Sequence, residues 1–360
     1  MSDIADKKKA DKRDTTFSDG GAAEGVVAGM VGGGYYNQHS APQMASIDFV
    51  LPWLDAAIAS MPLSEDWPTT IGLADFGCSE GGNSIAVMQR LVSAFRKRSS
   101  RPIQTHHIDL PTNDYRELFK NLRPDGRPVF EAAETYSAAV GGSMYDQLLP
   151  PRSIHLATTF NSIAYLSRRP VDRLANYVSA NGPSARRGIG EVTKEERDAF
   201  ADQAEADMES FLIARAAELV PGGKLLIQNF GCGEVFRECD GNCDVLNDAL
   251  LEIVDAGIID REGYEAFYLP VYYRTLDELT APLTKSNSAL AGSFRIEWAE
   301  SYEAPVPFVE QFNSTGDVDR FARDYIEYIR AFIEPMLRVT FAEHADLDRL
   351  VSECSNAQNA

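Results

Sequence analysis

The chain has 360 residues, 44% of them hydrophobic, which suffices for a sizeable core in one large domain with insertions or in two smaller ones. Its formal charge of −20, from 34 basic and 54 acidic residues, excludes nucleic acid and anionic membranes as expected partners. No apolar run approaches the roughly 20 residues of a membrane span, the charged start MSDIADKKKADKRD lacks a signal's apolar core, and the five cysteines form no regular framework, so a soluble, reduced, cytoplasmic protein is expected.

Residues 1–27 are charged and then rich in Gly, Ala, Ser and Asp, the composition of a disordered tail. From residue 47, IDFVLPWLDAAIASM has helical apolar spacing. A β/α alternation follows. IGLADFG is a strand, and 83–98 an amphipathic helix ending in positive charge. IQTHHIDL is a second strand, which takes in His106 and His107. NDYRELFKNL is a helix capped by Asn113 or Asp114. SIHLATTF is a strand with His155 in its middle. A long helix from Lys194 to Val220 leads through the PGG turn to another strand, KLLIQNF. Strands separated by helices imply a parallel sheet.

Beyond residue 232 the expected elements are a helix at 242–257, a short helix at 274–283 and a late strand, SFRIEWAESYE. A final helix carries Phe321, Tyr325, Ile329, Phe332 and Met336 on one face. Asp317 stands at its start, and Pro335 should kink or end it. Cys232, Cys239 and Cys243 are spaced C-x6-C-x3-C without a nearby histidine, unlike the paired ligands of structural zinc, so no metal is expected.

The chemistry concentrates in LADFGCSEGGNS. Gly77, Gly81 and Gly82 allow a ligand close to the backbone at a strand's carboxyl end, and Asp109 ends the next strand where an acid accepts from ribose hydroxyls. The spacing is not G-x-G-x-x-G, and no G-K-[ST] is present in the turn. Asp75 and Glu80 repel a pyrophosphate but suit a ligand bearing an ammonium and a sulfonium. S-adenosylmethionine is such a ligand.

The segment ADFGCSEGGNS resembles the D-L-G-C-[SA]-[ST]-G-P-N-[ST] motif of the SABATH carboxyl methyltransferases. Further segments match in order: MVGGGYYNQHSAPQ (with a shorter glycine stretch), HIDLPTNDYRELFKNL, GGSMYDQLLPPRSIHL, FNSIAYLSRRP and PGGKLLIQNFG, together spanning about residues 30–231. The resemblance implies an α/β fold: a Rossmann-like class I methyltransferase sheet with a helical active-site cap. It divides the chain into a tail at 1–27, a cofactor-binding core at 28–231 and, at 232–360, cap insertions with the last strands of the sheet.

By the same resemblance, S-adenosylmethionine contacts Tyr36, Gln43, Asp75, Gly77, Asn83, Asp109, Leu110, Ser143 and Met144. The substrate contacts Gln43, Asn161, Ala164 and Tyr165, with Gln43 and Tyr165 orienting its carboxylate. Cap walls are expected from Tyr264–Tyr273 and Phe308–Phe312. Departures from the family's pattern stand at Tyr35, His39, Met144, Asn161, Ala164 and Tyr165, and they argue against salicylate itself. The implied activity is methyl esterification of a small carboxylic acid, by a homodimer. Methylation of a heterocycle's nitrogen on the same fold, an inactive cofactor-binding partner protein and, residually, a NAD-dependent oxidoreductase stay open.

Overall fold

A computed structural model describes residues 29–183, 190–233, 239–285, 290–344 and 346–359, so the tail expected to be disordered lies outside the described residues. The strands are β1 (Ile71–Phe76), β2 (Ile103–Asp109), β3 (Thr135–Gly141), β4 (Ile154–Phe160) and β5 (Leu219–Gln228). They form one five-stranded sheet in the order β3-β2-β1-β4-β5, with parallel pairing throughout. Every residue of β1 and β4 is buried, because a central parallel strand is covered on both faces. The order reverses between β1 and its neighbours β2 and β4, which opens a crevice at their carboxyl ends.

The helices are α1 (Tyr35–His39), α2 (Ala41–Ser60), α3 (Gly82–Arg96), α4 (Tyr115–Leu122), α5 (Lys194–Glu218), α6 (Cys239–Asp255), α7 (Arg261–Ala266), α8 (Leu276–Thr284), α9 (Pro307–Thr315), α10 (Val318–Thr340) and α11 (Leu347–Asn359). One face of the sheet buries Ile47, Val50 and Leu54 of α2 with Leu91 and Phe95 of α3, against Leu73 and Leu156. The other face packs Met208, Phe211 and Leu212 of α5 on Ala74, Phe76 and Ile154. A third cluster joins α6, α7, α10 and α11 as a cap. It also takes in Ala164, Tyr177, Val178 and Val192, which precede residue 231 in the chain. No helix among the described residues is long and apolar enough to cross a membrane.

Several expectations need correction. The helix from Lys194 ends at Glu218, and Leu219 already pairs with Ile154. The PGG stretch is an irregularity inside β5, where the register jumps to Leu156 opposite Lys224. Residues 293–303 form no strand. They are held by side chains instead: Lys224 Nζ to Glu297 Oε1 at 2.6 Å, Trp298 against Trp53, and Tyr302 stacked on Phe49 with centroids 3.9 Å apart. Strand β3 was not expected, because an edge strand reading TYSAAVG shows no apolar alternation and leaves Tyr136 exposed.

Pro335 neither ends nor breaks α10, which continues to Thr340. A proline there cannot donate to the carbonyl of Ala331. That carbonyl accepts from the N–H of Val31 at 2.9 Å, so the N-terminal segment takes up the freed acceptor. Asp114 rather than Asn113 caps α4, accepting from Glu117 N, and Asp317 caps α10. His107 and His155 are fully buried strand residues whose pKa values burial pushes down to about 4. Cys243 lies in the cap cluster and Cys232 beside Asn181, while the side chain of Cys239 falls outside the described residues.

Candidate active site

A cavity of about 480 Å³ opens at the carboxyl ends of the strands, within the range of small-molecule sites. Its floor is the turn after β1 with Gly77 and Ser79, the Asp109–Thr112 loop after β2, and the Gly142–Tyr145 loop after β3. Asn161, Ser162 and Ala164 to Ser167, following β4, form one wall. Met30, Tyr36 and Gln43 close another side, and Phe230, Asn242, Val271, Tyr273, Tyr328 and Phe332 come from the cap side.

The turn works because of its backbone. Gly77 has φ 89°, and a Cβ there would collide with Ser162 Oγ. Gly81 has φ 93°, and its Cβ would lie 2.6 Å from Leu118 Cδ1. Ser79 and Asn161 hold positive φ without being glycine, a strain that clusters at functional sites. Asp109 helps to hold this geometry. Its Oδ2 accepts from Ser79 N at 2.6 Å and its Oδ1 from Leu110 N at 2.7 Å.

Tyr36, Gln43, Gly77, Asp109, Leu110, Ser143, Met144, Asn161, Ala164 and Tyr165 all line this cavity, so the fold brings together most of the site expected from sequence. Asp75 and Asn83 are not on its wall. Asp75 is buried beneath it, its Oδ1 accepting from Thr158 Oγ1 at 2.8 Å across the β1–β4 pair. Asn83 points to Ser40 Oγ at 3.4 Å. Glu80 is also elsewhere: its carboxylate accepts from Gly34 N at 2.6 Å and Asn37 N at 3.1 Å. Tyr35 and His39 face α10, where they meet Arg330 and Glu327, and so leave the cavity unaffected.

The expected cap walls are corrected in part. Val271 and Tyr273 line the cavity, but Tyr264 is core, and Phe308 and Phe312 join a ring cluster with Phe321. Tyr328 and Phe332 of α10 take that place. Phe332 belongs by spacing to the apolar face of α10, and spacing alone does not separate a core face from a cavity wall. Asn242 and Phe230 carried no sequence signal.

Burial raises the phenol pKa values of Tyr36 and Tyr165, and in Tyr36 the neighbouring Tyr165, Asp109 and Glu80 add to it. Both phenols therefore stay protonated near neutrality as donors. Burial also lifts Asp75 and Asp109 to about 6. No Lys, Arg or His lies on the cavity wall among the described residues. Ser79 Oγ, Gln43 Oε1 and Asn161 Oδ1 are buried there without a hydrogen-bond partner, which is the mark of groups awaiting a ligand or water.

These residues fit S-adenosylmethionine: an acid after β2, an unpartnered hydroxyl on the turn, apolar walls at Leu110 and Met144, and a cationic ligand's charge to offset the acids. A pH dependence follows. Ionised Asp75 and Asp109 favour a cation, and each takes up a proton as pH falls through about 6. The affinity for S-adenosylmethionine should fall below pH 6, measured by calorimetry, and Asp109→Asn should flatten the profile. Their contribution to unliganded stability has the opposite sign. A folded pKa raised above 3.8 means that the folded chain binds the extra protons, so these groups cost stability as pH rises through that window.

A parallel sheet with acids closing its first two strands, over a glycine turn and a ligand-sized cavity, defines a methyltransferase of the Rossmann-like α/β class. The particular family follows from comparison: a model described as SAM dependent carboxyl methyltransferase matches residues 27–359, and the chain belongs to that family. It is 28% identical to gibberellic acid methyltransferase 1 of Arabidopsis thaliana, over 80% of this chain and 79% of that protein. It is 32% identical to a probable S-adenosylmethionine-dependent methyltransferase of the same plant, over 68% of this chain and 69% of that one. The solved structure of loganic acid methyltransferase with SAH matches 92% of this chain and 91% of its own, with TM-score 0.70 and 25% identity. The chain is thus an S-adenosylmethionine-dependent carboxyl methyltransferase.

Proposed function

We propose that this enzyme methylates a small, largely apolar acid bearing its carboxylate at Gln43 and Tyr165, releasing the methyl ester. The observation that carries this is the donor set: the buried amide of Gln43 and the half-buried phenols of Tyr36 and Tyr165, whose pKa values are raised, in a cavity whose apolar wall includes Met30, Phe230, Val271 and Phe332. Neutral donors orient a carboxylate without trapping it as an ion pair. When bound, S-adenosylmethionine supplies a methyl group on a sulfonium sulfur. A C–O bond forms as the C–S bond breaks, and both charges are neutralised.

The chain's own residues position and exclude water. No general base is required, because a carboxylic acid with a pKa of about 4 is already ionised at pH 7. Holding the carboxylate in line contributes through entropy already lost on binding. Tyr36 and Gln43 would contact both ligands, and Leu110, Ser143 and Met144 would hold the adenine, since all five line the one cavity. Asn161 and Ala164 leave room and polarity beside the substrate ring. We extend the proposal to a cytoplasmic homodimer. The exposed aromatic surface of Phe49 and Trp298 supports self-association, and sedimentation analysis tests it.

The decisive assay supplies label in the methyl group and offers a panel of aromatic and terpenoid acids, phenols and xanthines. Label should appear in base-labile esters. Label in a ring nitrogen or phenol, with none in any ester, would overturn the acceptor assignment. Tyr165→Phe should raise KM for the acid about tenfold, the loss of one hydrogen bond to a charged group, while affinity for S-adenosylhomocysteine stays level.

A further inference from the structure

The turn after β1 departs from the family motif at two places: Glu80 stands where the motif has Ser or Thr, and Gly82 where it has Pro. Neither residue lines the cavity. Glu80 is 1% exposed, and its surroundings add charge of the same sign from Asp114 and Glu117. A carboxylate buried in that setting is unfavourable unless it accepts hydrogen bonds. Its oxygens take the N–H groups of Gly34 and Asn37, at 2.6 and 3.1 Å.

The bonding is reciprocal. Asn37 Oδ1 accepts from Gly82 N at 2.9 Å, a donor that the motif's proline would lack. A Cβ on Gly82 would also lie 2.5 Å from that Asn37 oxygen. Asn121 Nδ2 donates to the Glu80 carbonyl at 2.9 Å and steadies the turn from α4. One arrangement therefore accounts for both departures.

What Glu80 grips is the segment that closes the cavity. Gly34 and Asn37 flank Tyr36, which lines it. Gly33 N is held by Asp114 Oδ2 at 3.0 Å, and Val31 N by the Ala331 carbonyl that Pro335 leaves free. The segment from 31 to 37 is thus fastened to the turn, to α4 and to α10.

We propose that Glu80 is a positioning residue for methyl transfer: its buried carboxylate latches the 31–37 segment and sets Tyr36 over the cofactor half of the cavity. This rests on the assignment of that cavity to S-adenosylmethionine. Glu80→Gln keeps the shape, but it turns an NH2 group toward one of the two N–H donors. Glu80→Ser with Gly82→Pro installs the motif's turn and removes both sides of the latch.

The test uses the full chain, with calorimetry against S-adenosylhomocysteine and hydrogen-exchange mass spectrometry. Both variants should bind at least tenfold more weakly. Peptides covering 31–40 should exchange faster, while those covering β1 and β4 keep their protection. Binding within twofold of wild type in either variant, or unchanged exchange at 31–40, would overturn the latch. General loss of protection in Glu80→Gln would also count against it, since the turn itself would then be failing. If the wild-type chain itself shows no binding of S-adenosylhomocysteine, the cofactor assignment fails instead, and the two failures stay distinct.

Discussion

Asp109→Ala should lower the affinity for S-adenosylhomocysteine by at least ~100-fold, about 3 kcal/mol. The carboxylate holds the N–H groups of Ser79 and Leu110 at 2.6 and 2.7 Å, at the carboxyl end of β2. Hydrogen bonds to a charged acceptor contribute about 1.5–3 kcal/mol each. Losing them frees Ser79 from its positive φ and leaves two donors unpaired on the cavity floor. Asp109→Asn keeps one good acceptor and should cost about tenfold. Titration calorimetry near pH 7.5 separates the pair, well above the pKa of about 6. An Ala variant that binds within threefold of wild type would remove Asp109 from the site.

Arg215→Met should be strongly destabilising. Arg215 and Glu218 are 0% and 1% exposed and pair through Nε and Oε2 at 2.8 Å. The guanidinium stacks 3.7 Å over Phe76 and donates to the carbonyls of Met144 and Asp146, while Glu218 Oε1 accepts from Leu148 N and Leu149 N. Breaking such a pair strands a buried charge at about 3–5 kcal/mol, and Tm should fall by about 4–7 °C for a chain of this length.

Making Glu218→Leu in the same chain removes the stranded charge and should recover part of that stability. It does not restore the Gly142–Leu149 loop, which has then lost the four hydrogen bonds that Arg215 and Glu218 gave to Met144, Asp146, Leu148 and Leu149. The double variant should therefore melt higher than Arg215→Met yet still bind S-adenosylhomocysteine weakly, because Ser143 and Met144 lie on that loop. A double variant that recovers neither property, or both fully, contradicts this division of labour.

Much of the sheet was legible because central parallel strands and their crossover helices carry dense apolar signals. IGLADF and IHLATTF are buried residue for residue. Strand β3 was illegible because an edge strand is half solvated, and SFRIEWAESYE misled because aromatic and β-branched residues serve a surface stacked on Phe49 and Trp53 as well as a ladder. Pro335 misled for a different reason. The helix around it is held by cap packing, and the hydrogen bond it lacks is replaced from a distant segment.

The sequence by itself determined the class of sheet, the glycine turn, the acid after β2 and the family, since these depend on local chemistry at fixed spacing. Only the tertiary structure decided which polar groups face the ligand. Asp75, Asn83 and Glu80 have the right chemistry and stand on or beside the turn, yet each turns to a partner brought in by folding: Thr158 from β4, Ser40 ahead of α2, and the Gly34 and Asn37 amides. The cap walls were decided in the same way, by helix packing that aims Tyr328 and Phe332 inward. Buried polar groups take whatever partner the fold delivers, because leaving one unpaired costs about 1–3 kcal/mol, and the identity of that partner is not encoded within a few residues of the motif.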